Sequence, residues 1–506
     1  PRSRGLGDVY KRQAIAVIGA SRDKNSPGWV IFKTLIENMR NGLLKAKVYG
    51  VNIKGGELFG EPLYRSLDEI RGMIDHVVIC IPSRFVPDVL EQAGKKGVRV
   101  ATIISSGFSE VGNVDLEKKV IEIAEKYDIR IIGPNGLGLF DAYNGVDTLF
   151  LPQYKENKEG KQLLSTPRPP PGYIAFLSQS GALGATVLDY MYGEQMGISK
   201  FISAGNKVDV DEIDMLLYSL EDPTIRVIML YVEGIKGRGD LLVKIGRYVA
   251  RKKPIVAIKG GRTSAGARAA ASHTASIAGN ARIYEAAFRE MGAIVANELI
   301  DFLDIAKALA FQPPASGRNI GIVTNGGGAG ILASDAAESI GLSVKPLPKN
   351  VMDTIMEYVR DGTIPDIATF ANPIDLSAGG SDEAYIAAIE TLLEEPTING
   401  VIVITLHQTP ELSPYFVDKI SMVTRRYKKP VAVVDIGGAA MARWVRGEFD
   451  KHGLPSYPTP ERAVKALKSL VDYGEWLKRE GIFEEFLESW ERPKIRKEEV
   501  AIARLP

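Results

Sequence analysis

Three times along its 506 residues the chain runs from a continuous apolar strand, through a turn of small residues, into a helix. The first instance is Ala14-Ile-Ala-Val-Ile-Gly-Ala-Ser21, with a helix predicted over 29–39. The second is Tyr173-Ile-Ala-Phe-Leu-Ser-Gln-Ser-Gly-Ala-Leu-Gly184, with a helix over 185–192. The third is Asn319-Ile-Gly-Ile-Val-Thr-Asn-Gly-Gly-Gly-Ala-Gly330, with a helix over 331–340. A strand that is apolar throughout is buried on both faces. Such strands alternating with helices build parallel sheets covered on two sides, an α/β fold.

The second and third segments echo each other further on. Arg226-Val-Ile-Met-Leu-Tyr-Val-Glu-Gly234 parallels Gly400-Val-Ile-Val-Ile-Thr-Leu-His-Gln408, and Lys252-Lys-Pro-Ile-Val-Ala-Ile-Lys-Gly-Gly261 parallels Lys428-Lys-Pro-Val-Ala-Val-Val-Asp-Ile-Gly-Gly438. A domain-sized unit is duplicated, which is not the pattern of a short solenoid repeat. Domains are expected at 14–148, 172–312 and 317–475. The Lys/Glu- then Pro-rich 149–171 reads as an exposed linker, and 476–506 as a helical, charged tail. Residues 1–13 have no apolar stretch of the signal-peptide kind and read as a non-native leader.

Composition removes several function classes. A net charge of +1 gives no electrostatic case for nucleic acid or an anionic membrane, and no apolar run reaches the length of a membrane span. The single cysteine, Cys80, fits a reducing cytoplasm; within Val77-Val-Ile-Cys-Ile81 it is expected to be buried and inert. No Cys/His cluster suggests zinc, so no metal site is expected. A P-loop and a Gly-x-Ser-x-Gly elbow are both missing from the sequence.

His273 carries most of the chemistry. It lies in Lys259-Gly-Gly-Arg-Thr-Ser-Ala-Gly-Ala-Arg-Ala-Ala-Ala-Ser-His-Thr-Ala-Ser-Ile-Ala-Gly279, a stretch no core requires and one that reads as mobile. An exposed imidazole with Arg262 and Arg268 upstream suits a histidine phosphorylated during turnover. Ser178, Gln179, Ser180 and Gly181, and in the duplicate Asn325, Gly326, Gly327 and Gly328, each follow a strand and open a helix. Free N–H groups and the helix dipole there can hold phosphate. The bland reading of each is N-capping and glycine packing.

Glu233 ends a strand where parallel sheets bind ligands and can orient an imidazole; the bland reading is a solvated acid. Asn206 and Lys207 are candidates for holding phosphate, and the acids after them for capping and solvating a helix start. His407 is placed as the duplicate's counterpart of Glu233. His76 and His452 read as surface residues. The first turn, Gly19, Ala20, Ser21 and Arg22, lacks the later glycines of a dinucleotide fingerprint, and the next strand ends at Asn52 and Lys54 rather than an acid. A basic end suits a phosphate-rich ligand such as coenzyme A better than NAD(P).

Together these segments resemble the nucleoside-diphosphate-forming acyl-CoA synthetases, the superfamily of succinyl-CoA synthetase. The match is densest in Ile15-Ala-Val-Ile-Gly-Ala-Ser-Arg22, Ile132-Gly-Pro-Asn-Gly-Leu-Gly138, Leu177-Ser-Gln-Ser-Gly-Ala-Leu-Gly184 and Gly205-Asn-Lys-Val-Asp-Val-Asp-Glu212. The 260–279 segment, Asn372-Pro-Ile-Asp375 and Pro458-Thr-Pro-Glu-Arg-Ala463 complete it.

The domain order is most similar to the alpha subunit of the archaeal ADP-forming type. That resemblance implies a Rossmann-like CoA-binding domain and two flavodoxin-like domains. It implies His273 as phosphohistidine and Glu233 as its orienting acid. CoA would lie along Gly19, Ala20, Ser21, Arg22, Asn52, Lys54, Ile81, Pro82, Ser105, Ser106, Gly107, Phe108, Pro134 and Asn135.

The implied reaction is acyl-CoA + ADP + phosphate = carboxylic acid + ATP + CoA. Two departures stand out. Gly136 replaces the family's usual cysteine, and no ATP-grasp domain for ATP/ADP and Mg²⁺ follows residue 475. That domain is expected on a beta subunit, in an α2β2 assembly, or on a fused half. A CoA-binding portion of a fused protein acetyltransferase is the alternative; an NAD(P) oxidoreductase is disfavoured by the first turn.

Overall fold

The computed structural model describes residues 14–274 and 280–493, with the side chains of 270–274 left aside. The expected leader, residues 494–506 of the charged tail and the end of the histidine segment lie outside the described residues. The chain divides into two compact units, 1–291 and 292–506.

The first unit holds two sheets. The first is built from β1 (Ala14–Ile18), β2 (Lys47–Val51), β3 (Gly56–Leu58), β4 (Glu61–Tyr64), β5 (His76–Ile79), β6 (Val100–Ile103) and β7 (Arg130–Ile132), in the order β3-β4-β2-β1-β5-β6-β7. Only the β3–β4 pair is antiparallel. Every side chain of β1 is buried, as a run of five apolar residues covered on both faces requires.

His76 lies in β5 with no exposed surface, and its Nε2 is 2.9 Å from the Thr102 hydroxyl. The expectation of a surface histidine fails because two parallel neighbours flank β5. His452 is 30% exposed and pairs with Asp418 at 2.8 Å.

After β7 the chain does not stay with the first sheet. Residues Leu139–Asp141 form β8, which pairs antiparallel with β12 (Ile198–Ser203) of the second sheet. The second sheet continues through β11 (Pro171–Ser178), β13 (Val227–Val232) and β14 (Ile255–Lys259), in the order β14-β13-β11-β12-β8. The 149–171 stretch carries a short exposed hairpin, β9 (Tyr154–Glu156) with β10 (Gln162–Leu164). The hairpin is followed by Arg168, whose guanidinium is buried against Asp147 at 2.6 Å. Arg130, at the start of β7, reaches Asp209 at 2.8 Å and buried Asp214 at 3.1 Å. These ties explain why two sequence-defined domains form one unit.

The second unit starts with β15 (Ile294–Val295) and the helix Leu299–Phe311. That helix packs on the helix Pro460–Arg479, with Arg462 forked onto Asp304 at 2.7 Å and Lys307 against Asp450 at 2.6 Å. The sheet is β16 (Ile320–Thr324), β17 (Thr369–Phe370), β18 (Ile374–Asp375), β19 (Gly400–Thr405), β20 (Val431–Asp435) and β21 (Ser456–Tyr457), in the order β17-β18-β16-β19-β20-β21. All its pairings except β17–β18 are parallel.

The three helices that follow the opening strands are Pro27–Arg40, Gly181–Gly193 and Gly327–Ser339. Each begins two to four residues before its predicted start; in the second and third the small residues of the turn are already the first helical turn.

The ring of Phe201, fully buried on β12, lies 5.4 Å from that of Phe176. A Cβ on Gly184 would come within 2.4 Å of the Phe201 ring, so the glycine lets helix Gly181–Gly193 close onto the sheet. Phe201→Ala should therefore destabilise the first unit by about 3–5 kcal/mol, measured by chemical denaturation.

Candidate active site

His273 lies in a helix, Ser264–Thr274, not in a loop. Alanine is the strongest helix former, and the Thr263 hydroxyl accepts the Gly266 N–H at 3.1 Å, which caps the start. The Gly/Ala/Ser composition that reads as mobile is thus helical up to Thr274. Arg262 and Arg268 at its beginning are exposed, Arg262 with Glu285 at 3.2 Å. The helix runs against the turn Ser109–Val111 of the same unit. The side chain of His273 itself lies outside the described residues.

Glu233, one residue past β13, is buried at 7% exposure, so the bland reading of a solvated acid is overturned. The Gln179 side chain holds it there. Its Oε1 accepts the N–H groups of Glu233 and of Gly234 (2.9 Å), and its Nε2 donates to the Gly234 carbonyl at 2.9 Å. The Tyr231 hydroxyl donates to Glu233 Oε1 at 3.2 Å, and burial pushes that hydroxyl's pKa above its ordinary value.

Glu233 Oε2 is buried and has no hydrogen-bond partner among the described residues. A buried carboxylate oxygen left open is costly, so it marks a position for a donor. Lys259, ending β14, donates to the Glu233 and Gly260 carbonyls, and burial lowers its pKa.

Ser180 caps the helix Gly181–Gly193 through the Leu183 N–H at 3.3 Å. Ser178 Oγ accepts the Ser180 N–H at 3.2 Å and donates to the Ser180 carbonyl at 2.7 Å. The duplicate repeats this: Thr324 Oγ1 accepts the Gly326 N–H at 3.0 Å and donates to the Gly326 carbonyl at 3.1 Å. Asn325 takes the role of Gln179, its Oδ1 accepting the Leu406 N–H at 2.9 Å and its Nδ2 donating to the Leu406 carbonyl at 3.3 Å. Gly326 caps the helix Gly327–Ser339 with no side-chain bond. Gln179 and Asn325 are thus turn-holding residues, and the open backbone donors are those of the helix starts.

The duplicate also corrects the place of His407. Ser178 pairs with Tyr231, and Thr324 with Ile404. Two residues on from each stand Glu233 and Leu406, so His407 is one position beyond the counterpart of Glu233. Its Nδ1 lies 2.7 Å from Asp435, which ends β20 with no exposed surface. Thr405 donates to the other Asp435 oxygen at 3.0 Å. Burial raises the Asp435 pKa, against the pull of His407.

Asn206 and Lys207 do not have free donors. Lys207 is buried, with Nζ on Glu212 and on the Gly234 carbonyl at 2.8 Å. Asn206 Nδ2 reaches Glu110 at 2.7 Å and Glu117 at 2.9 Å. Both tie loops together. Asp211 does cap helix Glu212–Glu221, in a capping box with Asp214, but Glu212 and Asp214 are buried ion-pair members, not solvated acids.

The residues singled out for CoA gather along the carboxyl edge of the first sheet, where open α/β sheets bind ligands. Gly19 (φ 92°) and Ala20 follow β1 and bond the Val51 carbonyl at 2.9 and 3.1 Å. A Cβ on Gly28 would fall 2.0 Å from the Gly19 carbonyl, so the helix Pro27–Arg40 starts directly on this turn.

Asn52 Nδ2 donates to the Ala20 carbonyl at 2.8 Å, Arg22 to the Gly55 carbonyl at 2.7 Å, and Lys54 is exposed. The Ser21 hydroxyl accepts the Asp23 N–H at 3.0 Å. Ser105 Oγ donates to the Ile81 carbonyl at 2.5 Å, beside exposed Pro82, and Ser106 is exposed. The Gly107 and Phe108 N–H groups go to Glu110. Asn135, after Pro134, donates its N–H to the Ser105 carbonyl at 3.0 Å.

Gly136 has its reason: a Cβ there would lie 2.7 Å from the Ser203 carbonyl. Cys80 is partly buried, and burial pushes its thiol well above the ordinary range. The described residues hold no cluster of metal-ligating side chains, and no helix among them is long and apolar enough to cross a membrane.

Sequence reasoning gave no role to Tyr231, Lys259, Asp375 or Asp435. Three of these end strands or lie at their last turn, which is the signal that could have found them.

Three family models match the chain: a CoA binding domain at 13–141, a succinyl-CoA ligase like flavodoxin domain at 171–309 and a Ligase-CoA domain at 320–474. A relative from Pyrococcus furiosus, acetate–CoA ligase (ADP-forming) I subunit alpha, is 38% identical over 93% of this chain and 98% of its own. Another, acetate–CoA ligase (ADP-forming) from Methanocaldococcus jannaschii, is 36% identical over 95% of this chain but only 66% of its own. Among solved structures, acetyl-coenzyme A synthetase 1 from Ca. Korarchaeum cryptofilum, in complex with phosphate and ADP, matches at 34% identity with a TM-score of 0.82. The match covers 96% of this chain and 99% of that one.

The Gln179 clamp is directly testable. In Gln179→Ala the amides of Glu233 and Gly234 should exchange with solvent about tenfold faster or more, the loss of one net hydrogen bond each, while β6 amides are unchanged.

Proposed function

The chain belongs to the ADP-forming acyl-CoA ligase family, with the domain content of its alpha subunits, and from that premise we propose that it performs the acyl and first phosphoryl transfers of such a ligase. The observation that carries the reading is the buried Glu233 Oε2, which has no hydrogen-bond partner among the described residues, on a backbone held by Gln179. It supplies an acceptor for the N–H of an imidazole whose other nitrogen is then a nucleophile. His273 is the histidine assigned to it.

The steps balance simply. An oxygen of phosphate attacks the thioester carbonyl of the acyl-CoA, the C–S bond breaks, and CoA leaves as its thiol after taking a proton. The unprotonated nitrogen of His273 attacks phosphorus in the acyl phosphate. The bond from phosphorus to the acyl oxygen breaks, and the carboxylate leaves. Glu233 stabilises the cationic ring that forms. An oxygen of ADP then takes the phosphoryl group, breaking P–N and restoring the histidine. Each transfer moves charge that oriented backbone donors can meet, so the capped start of Gly181–Gly193 serves the phosphoryl oxygens.

CoA fits the edge of the first sheet. The backbone of Gly19 and Ala20 leaves no side-chain obstruction at the β1 turn, and exposed Lys54 offers charge to its phosphates. Nucleotide and Mg²⁺ would be held by an ATP-grasp partner, as a separate beta subunit in an α2β2 assembly or as a fused segment. The Methanocaldococcus relative, of which 66% is matched here, has room for the latter in the remaining third. A cytoplasmic setting fits these substrates. The acid released or activated is a small carboxylic acid.

The test uses the complex of this chain with its ATP-grasp partner. Incubation with ATP labelled at the γ-phosphate should place an acid-labile phosphate on this chain, and His273→Ala should abolish both label and turnover. Glu233→Gln should cut turnover about 10²–10⁴-fold while leaving the CoA dissociation constant within about twofold. Full turnover in His273→Ala would overturn the reading.

A further inference from the structure

The Gln179 clamp fixes the backbone of Glu233 but not its carboxylate. The last torsion of a glutamate side chain is broad and roughly two-fold, so a held backbone alone leaves its two oxygens free to exchange places. Here the two are not equivalent. Oε1 accepts the Tyr231 hydroxyl at 3.2 Å, whereas Oε2 is buried with no hydrogen-bond partner among the described residues.

We propose that Tyr231 is a positioning residue of the proposed reaction: it holds Glu233 Oε1 and so commits Oε2 to the N–H of the His273 imidazole. The inference rests on the ligase reading above. The duplicate supplies the first support. Tyr231 pairs with Ser178 as Ile404 pairs with Thr324, so the places of Tyr231 and Glu233 are filled there by Ile404 and Leu406. Packing at this edge therefore needs neither a hydroxyl nor an acid. The two polar groups occur together in the copy that carries His273 and are both missing from the other. The second support is steric. Gly260 leads from β14 toward the helix Ser264–Thr274. A Cβ on it would lie 2.5 Å from the Tyr231 hydroxyl and 3.4 Å from Glu233 Cγ, so this glycine leaves the pair its room. The third is chemical. Burial first, and the charge of Glu233 next, raise the Tyr231 pKa above its ordinary value. The hydroxyl thus keeps its proton and faces the carboxylate as a donor.

Tyr231→Phe removes the hydroxyl and keeps the ring. In the complex with the ATP-grasp partner it should lower kcat about tenfold or more, the loss of one hydrogen bond to a charged group. The KM for phosphate and the CoA dissociation constant should stay within about twofold, which also shows that the first unit remains folded. A role exercised through Glu233 has a further signature. In a Glu233→Ala background the same substitution should change the residual turnover by less than about twofold, because no carboxylate is left to position. A kcat for Tyr231→Phe within about twofold of the unsubstituted complex overturns the role of Tyr231. So does an equal fall in both backgrounds, or a fall accompanied by weaker CoA binding, since either marks a general loosening of the unit. Absence of phosphate on His273 in the unsubstituted complex would instead overturn the ligase reading itself.

Discussion

At the carboxyl edge of a parallel sheet the backbone leaves its ladder with donors and acceptors unspent, and something must hold it. Here one amide side chain does so in each duplicated domain. Gln179 takes the N–H groups of Glu233 and Gly234, and Asn325 brackets Leu406. Both amides sit between a strand and the helix it feeds, so neighbouring strand, turn and helix start are fixed by a single residue. The consequence is functional as well as structural. A buried carboxylate such as Glu233 stays where it is because its own backbone is held and Tyr231 binds one of its oxygens, and pre-set donors and acceptors of this kind are what charge transfer in an active site needs.

Much of this was legible in the sequence. The α/β class followed from apolar strands alternating with helices, and the strand-end residues named for CoA do gather along one edge. The legible part is local, because hydrophobic periodicity and small-residue turns are set by neighbours along the chain. What was not legible is long-range. His76 looks like a polar residue at a strand start, and only the flanking strands bury it. Lys207 has the composition of a phosphate ligand, but Glu212 and the Gly234 carbonyl claim its charge. The one-residue offset between Glu233 and His407 cannot be seen in an alignment of two apolar strands; it needs the pairing register.

Duplication therefore acts here as a scaffold with interchangeable chemistry. The Ser178 and Thr324 turns make the same pair of backbone bonds. The residues one strand away have diverged, to Lys259 and Glu233 in one copy and Asp435 and His407 in the other. What the two copies share is the geometry that presents a side chain at a strand end. What they differ in is the sign of the charge presented.

The strand β8 belongs by sequence to the first sheet's domain and by hydrogen bonding to the second. It covers β12, whose six residues are all buried. Proteolysis or a gene boundary placed between β7 and β8 would strip the second sheet of its edge strand and leave β12 with unpaired backbone groups of the kind that recruit other chains. The two sheets are thus separable on paper but not in the cell.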